Sequence, residues 1–210
     1  MKKKVLNIPS TNELTKELQN EKFKYKYKKI LKSTIYTLIV VIAFSSLAST
    51  LLFPMLEIHG YSMSPTITQG DIVLGIKRAK YQSGDIVAFY YNNRILVKRV
   101  VACSSDWVSI DEEGNVYVND KLLNEPYVNK KMLGDTDIEY PYQVPDNSYF
   151  ILGDKRENSI DSRNSLIGTI SEEDIIGKIV LRVWPLKEFK FLSNIGGIYE
   201  KRNFIINRKK

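Results

Sequence analysis

The sequence predicts a mainly β fold, a domain of antiparallel sheet preceded by one N-terminal apolar helix. Three observations carry this. Ser33 to Leu56 is a run of 24 residues without a charge. Behind it come short runs rich in Val, Ile, Phe and Tyr, with Gly, Asn, Asp and Ser between them. No strand alternates with a helical pattern, so nothing suggests a parallel sheet.

The uncharged run includes Thr37-Leu-Ile-Val-Val-Ile-Ala-Phe44. As a helix at about 1.5 Å per residue it extends roughly 36 Å, enough for a hydrocarbon core of about 30 Å. Pro54 is the expected stop, because proline cannot continue a helix. The serines and threonines inside are tolerated because their hydroxyls can bond back to helix carbonyls. A cleaved signal peptide is the competing reading, since Ser46-Leu47-Ala48 has a small-x-small pattern. The run is longer than the usual apolar segment of about 7–15 residues, and the tail before it is long as well.

Charge gives the expected orientation. Residues 1–32 carry ten lysines against three glutamates, the whole of the net +7, while the rest of the chain has 21 basic and 21 acidic residues. A basic flank before an apolar span stays on the cytoplasmic side. The expected organisation is a basic cytoplasmic tail, 1–32, a transmembrane helix, 33–54, and an extracytoplasmic domain, 55–210. A Glu- and Lys-rich helical stretch, 11–32, belongs to the tail. Nucleic acid is not an expected partner, because that needs a basic face on the folded domain.

The strand candidates are Met55–Tyr61, Ile72–Lys77, Asp85–Tyr91, Ile95–Cys103, Trp107–Ile110, Val116–Val118, Ser148–Leu152 and Ile176–Val183. Asn92-Asn93 between two of them predicts a tight hairpin. Cys103 is the single cysteine, so no internal disulfide is possible, and it is expected as a small buried apolar residue.

Three segments can carry chemistry. In Gly60-Tyr61-Ser62-Met63-Ser64-Pro65-Thr66 a serine lies between glycine and proline, which by itself suits a plain turn. Ile95-Leu96-Val97-Lys98-Arg99-Val100-Val101 is a β-type run with a lysine at its centre. Alternation puts Lys98 on the face of Leu96 and Val100, where a lysine is costly unless neutral or paired. The open alternative turns Lys98 to solvent and Arg99 inward. Gly153-Asp154-Lys155-Arg156-Glu157-Asn158-Ser159-Ile160-Asp161-Ser162-Arg163 has the composition of a solvated charged loop.

Together, in this order and behind an anchor, the three segments resemble the G-x-S-M-x-P-T, V-K-R-V and G-D-x-R-x-N-S-x-D-S-R boxes of the bacterial type I signal peptidases, the Ser–Lys leader peptidases. Gly177-Lys178-Ile179 and Arg182-Val183-Trp184-Pro185-Leu186 are similar to the family's closing strand. The resemblance covers roughly residues 30–190. It implies a membrane-anchored serine endopeptidase with Ser62 as nucleophile and Lys98 as general base, needing no metal or cofactor. A serine hydroxyl is a weak nucleophile until a base takes its proton, and a lysine can be that base only when burial keeps it neutral. The resemblance further implies that Ser159 orients the lysine, that Asp161 and Arg163 form a supporting ion pair, and that Asp154 gives support. Gly60 stands where some members have an oxyanion-hole serine, so the Ser62 N–H is the expected donor and the second donor is left open. His59 is a bystander on this reading, and Lys155 replaces a common asparagine at a peripheral position.

The implied substrates are pre-proteins whose signal peptides end in a small-x-small pattern. Bound extended beside Leu56–Tyr61, such a segment would place alternate side chains in two shallow apolar pockets. By resemblance Ile58, Met63, Ile67, Leu96 and Val97 line them, with Leu56 and Val73 further out, although each also suits ordinary core. The lipid bilayer is the other expected partner, and the chain is expected to be monomeric in the cell membrane of a bacterium, by its Lys-, Asn- and Ile-rich composition a Gram-positive one. A self-cleaving Ser–Lys repressor lacks the membrane span. A catalytically silent membrane scaffold with this fold needs none of the catalytic side chains. The basic, aromatic tail 187–210, with Phe189, Phe191, Tyr199 and Phe204, is expected either to pack on the domain or to touch lipid.

Overall fold

A computed structural model describes residues 10–77 and 80–192. The chain divides into two compact units, Met1–Thr50 and Leu51–Lys210. The first is dominated by α1 (Thr11–Leu52). Ser10 opens this helix. Its backbone N–H donates to Glu13 Oε2 at 2.9 Å and its hydroxyl accepts from the Glu13 N–H at 3.4 Å, the reciprocal arrangement of a capping box. The helix that was expected in the tail and the apolar span are therefore one continuous helix. It stops two residues before Pro54. Leu38, Ile39, Val40 and Phe44 are all more than half exposed. A helix that is apolar all round and buried in no protein core has the character of a membrane span. The N-terminal residues of the expected tail, 1–9, and Tyr199 and Phe204 of the C-terminal tail lie outside the described residues.

The second unit is mostly antiparallel sheet. Its strands are β1 (Met55–Glu57), β2 (Ile72–Ile76), β3 (Ile86–Tyr91), β4 (Arg94–Ala102), β5 (Trp107–Ile110), β6 (Val116–Val118), β7 (Lys121–Leu122), β8 (Tyr142–Gln143), β9 (Ser148–Leu152), β10 (Ile170–Ser171), β11 (Ile175–Trp184) and β12 (Lys190–Phe191). The larger sheet runs in the order β1-β2-β11-β3-β4-β9-β10, with β12 also on β11, and a smaller sheet runs β7-β6-β5-β8. Asn92 and Asn93 turn the β3–β4 hairpin with φ of 45° and 61°. Two successive positive values are what a two-residue turn between twisted strands requires.

Three apolar clusters hold this unit. Ile86 and Ala88 point to the cluster of Ile58, Met63, Ile67, Val73 and Ile179, while Val87 and Phe89 point to that of Val100, Ile151 and Ile175. Strand β3 is thus buried on both faces, which is why its sequence shows no polar alternation. A third cluster packs Val108, Val116 and Val118 of the small sheet on Ala102, Phe150 and Leu152.

Two expectations change here. The strand expected over Met55–Tyr61 ends at Glu57, because the chain turns at Gly60, whose φ is +108°. The choice between Lys98 and Arg99 as the inward residue has no winner, since Lys98 is 4% exposed and Arg99 is fully buried. Strand alternation sends them to opposite faces, and both faces of β4 are covered at that point.

Candidate active site

Ser62 sits in the turn between β1 and β2. Ser64 N–H donates to Tyr61 O at 3.0 Å and Ile67 N–H to Met63 O at 3.0 Å, closing two tight turns around it. Its own carbonyl accepts from Lys155 N–H at 3.0 Å, which binds this turn to the 153–163 loop. Gly153 is where the two segments touch. A Cβ there would lie 2.2 Å from Ser159 Oγ and 2.7 Å from Ser62 O, so only glycine allows the approach.

Lys98 comes from the middle of β4, and its Nζ donates to Ser62 Oγ at 2.6 Å. The amine is buried against a hydroxyl rather than a carboxylate. Burial pushes its pKa down to about 8. The charges beyond it act in both directions: Asp161 and Asp154 favour the ammonium form and Arg163 opposes it. Such a lysine is a free amine for a useful fraction of molecules near neutral pH, which an ordinary surface lysine is not.

The loop residues form a buried polar layer. Arg163 Nε donates to Asp161 Oδ1 at 2.8 Å and its Nη2 to Asp161 Oδ2 at 3.0 Å, a bidentate pair, while Nη1 donates to Leu133 O at 2.8 Å. Asp161 Oδ2 also accepts from Gly153 N–H at 3.0 Å. Asp154 pairs with Arg99, whose Nε and Nη2 donate to it at 2.8 and 2.7 Å, and it also accepts from the Thr66 hydroxyl. The segment that has the composition of a solvated loop is therefore largely interior, with Asp154, Arg156, Asp161 and Arg163 each at most 2% exposed. Ser159 was expected to orient the lysine, and its hydroxyl makes no hydrogen bond here. Its Oγ is buried beside Gly153 and is not bonded to the Lys98 amine.

A cleft of about 590 Å³ opens beside the pair, lined by Leu56, Ile58, Gly60, Met63, Leu96 and Val97 together with Ser62 and Lys98. Ile67 and Val73 do not line it. Both are fully buried in the cluster beneath Ile58 and Met63, so they form the support under the cleft. Alternation along β2 turns Val73 into that core, and the second turn after Ser62 does the same for Ile67. His59 also borders the cleft and is exposed. A second cavity of about 510 Å³ adjoins Ser62 and Lys98, lined by Tyr61, Tyr91, Ile160 and Ile167. Cys103 lies just past β4, and burial pushes its thiol up to about 11, which leaves it unreactive at neutral pH.

Sequence reasoning missed Arg99, Glu125 and Tyr127 as members of the polar layer. The Arg99 guanidinium lies 3.9 Å from the Tyr127 ring centre, and Glu125 pairs with Arg156. For Arg99 the signal was present, since a second cation follows Lys98 in a β-type run. Glu125 and Tyr127 stand in an unremarkable stretch between turns.

Known proteins share this arrangement of sequence. Residues 31–184 match the family "Signal peptidase, peptidase S26". Signal peptidase IB of Staphylococcus aureus is 34% identical over 188 residues, 80% of this chain and 96% of that protein. Signal peptidase I U of Bacillus subtilis is 33% identical over 79% of this chain and 94% of its own length. A crystal structure of a signal peptidase I from Enterococcus faecalis aligns with a TM-score of 0.40 at 26% identity, over 47% of this chain and 96% of that one. The family match spans most of the chain, and the relatives are covered almost end to end. The chain belongs to the signal peptidase family, peptidase S26, and is a serine endopeptidase of the signal peptidase I type.

Proposed function

We propose that this chain removes signal peptides from exported pre-proteins by acyl transfer to Ser62, with Lys98 as the general base. The observation that carries the reading is the 2.6 Å contact between a buried amine and the Ser62 hydroxyl. In the free-amine form the direction of that hydrogen bond reverses, and Ser62 O–H donates to Nζ. Attack of Oγ on the scissile carbonyl passes the proton to Lys98, and the resulting ammonium returns it to the leaving amine. Water then attacks the acyl carbonyl as Lys98 takes its proton, and Lys98 returns that proton to Ser62 Oγ as the Oγ–acyl bond breaks. The Ser62 N–H is the oxyanion donor on this reading. Asp161, Arg163 and Asp154 hold the loop behind the nucleophile.

Substrate selection follows from the strand order. β1 is an edge of the large sheet, with β2 on its one paired side, and β4 pairs with β9 only from Arg99 onward. An extended segment laid in the cleft can bond to these free edges while its small residues meet Ile58, Met63, Leu96 and Val97. The preferred sequence is then small-x-small before the cut. The uncharged span, 33–54, anchors the chain in the bacterial cell membrane, with the basic tail cytoplasmic and the domain outside. The cut occurs close to the bilayer, because only a few residues separate the anchor from Ser62, and the apolar surface around the site meets lipid. The chain acts as a monomer.

The test is cleavage of a pre-protein by the purified full-length chain in detergent, with mass spectrometry of the products. A single cut after small-x-small is expected, lost in Ser62→Ala and in Lys98→Arg. An undiminished Lys98→Arg removes lysine from the mechanism. Protease added to protoplasts should digest the domain and spare the tail, and the opposite pattern overturns the orientation.

A further inference from the structure

The buried charges beneath Ser62 and Lys98 balance one another, and one of them comes from outside the three segments. Arg99, Arg156 and Arg163 are each at most 2% exposed, and each faces a buried carboxylate: Asp154, Glu125 and Asp161. Two of these carboxylates belong to the 153–163 loop. Glu125 instead follows β7 of the small sheet. Its turn also carries Tyr127, whose hydroxyl donates to Glu125 Oε1 at 3.3 Å and whose ring covers Arg99, the residue after Lys98. Arg156 donates from Nε to Gly153 O at 3.0 Å, and Gly153 backs onto Ser62. One turn of the small sheet thus touches both the strand that carries Lys98 and the loop behind Ser62.

We propose that Glu125 is a positioning residue for the reaction, which neutralises Arg156 behind Ser62 and, together with Tyr127, ties the small sheet to β4 at Lys98. The proposal rests on the Ser62–Lys98 reading above. Its physical basis is charge balance in a dry layer. Arg156 Nη2 donates to Glu125 Oε1, while Glu125 Oε2 and Arg156 Nη1 make no hydrogen bond, so each charge has the other as its chief partner. Removing one partner leaves the other uncompensated in the interior. The groups around Lys98 are Ser62 from the turn, Asp154, Asp161 and Arg163 from the loop, and Arg99 beside it in β4. Those around Glu125 are Arg156 and Tyr127. Loss of Glu125 adds one net positive charge to this layer, which disfavours the Lys98 ammonium. Loss of Arg156 adds one net negative charge and does the reverse.

The experiment measures kcat and KM of the full-length chain in detergent against a fluorogenic small-x-small peptide, across neutral and alkaline pH. Glu125→Gln should move the rising limb of kcat/KM to lower pH by roughly half a unit, and Arg156→Gln should move it up by a similar amount. The double variant should bring the limb back to the parent's position. In Glu125→Gln, kcat should fall roughly tenfold, with KM within about twofold. A purely structural role lowers the folded fraction and leaves the limb where it was, so an unmoved limb in both single variants overturns the proposal. If a single variant does not fold, Glu125→Asp keeps the charge on a shorter arm. It should hold the limb and lower kcat, and a parental kcat in Glu125→Asp sinks the positioning role. Lys98→Arg separates the two readings. If it still cuts, the Ser62–Lys98 reading fails. If it is inactive while Glu125→Gln matches the parent, this proposal alone fails.

Discussion

Two lysines are buried in neighbouring parts of the large sheet, and they have opposite partners. Lys178 on β11 is 5% exposed and forms an ion pair with the Asp85 carboxylate. Lys98 on β4 is 4% exposed and meets the Ser62 hydroxyl. Desolvation disfavours the Lys98 ammonium and no carboxylate is in contact to offset it, whereas Lys178 has the Asp85 carboxylate in contact. The partner, not the depth of burial, therefore decides whether a buried lysine is a structural cation or a candidate base. Asp161 and Asp154 lie near enough to Lys98 to oppose its depressed pKa without bonding to it, because Arg163 and Arg99 already occupy them.

Substitution of each lysine by methionine separates the two roles most sharply. Lys98→Met should lower kcat/KM by at least about a thousandfold, since a residue that acts as one unit with the nucleophile takes most of the catalysis with it. Lys178→Met should keep its chemistry and lose stability by roughly 3–5 kcal/mol, because Asp85 is left as an unpaired buried charge. Equal losses of activity in the two variants, at equal folded fraction, would erase the distinction.

The stabilities should move in opposite directions. The Lys98 pKa falls from 10.5 to about 8 on folding, so the unfolded chain holds more protons between those values. Its unfavourable contribution is full below about pH 8 and shrinks as pH rises toward 10.5. Lys98→Met should then stabilise the domain by about 2–3 kcal/mol at neutral pH, read by denaturant unfolding. A destabilised Lys98→Met would mean that the amine is held by favourable contacts that outweigh its desolvation.

Gly153→Ala probes the contact from the loop side. The added methyl meets Ser62 O and Ser159 Oγ, so the loop must retreat, with a cost of about 1–3 kcal/mol and a fall in kcat larger than the change in KM. Parental kcat in this variant would show that the loop does not set the position of Ser62. The smallest effect is on the pH profile: kcat/KM should rise tenfold per pH unit below about 8 and flatten above it, and a flat profile there would remove the titrating base.

Much of this was legible along the chain. The uncharged run, the basic flank, the Asn92-Asn93 hairpin and the longer strands follow from residues adjacent in sequence, and Trp107–Ile110, Val116–Val118 and Ser148–Leu152 appear with the expected bounds. The two-residue strands β7, β8, β10 and β12 were not legible, because so short a segment has no period to detect and exists only where a neighbouring strand pairs with it. Leu56, Ile58, Met63, Leu96 and Val97 face the cleft, whereas Ile67 and Val73 turned out to be core, and no local pattern distinguishes an apolar residue above a surface from one beneath it.

The sequence by itself determined the fold class, the apolar span and the residue types that can carry out the chemistry, because each is a property of composition or of spacing within one segment. Only the tertiary structure decided the partners. Ser62 and Lys98 are 36 residues apart, Arg99 and Asp154 are 55, and Glu125 and Arg156 are 31. Which of these charges meet depends on the register of β4 against β9 and on where the small sheet places its turn. A lone lysine in a β-type run can be a solvated charge, an ion-pair cation or a base. The choice among them is made by whichever group the folded chain brings within hydrogen-bond distance in the dry interior, and sequence spacing does not encode that distance.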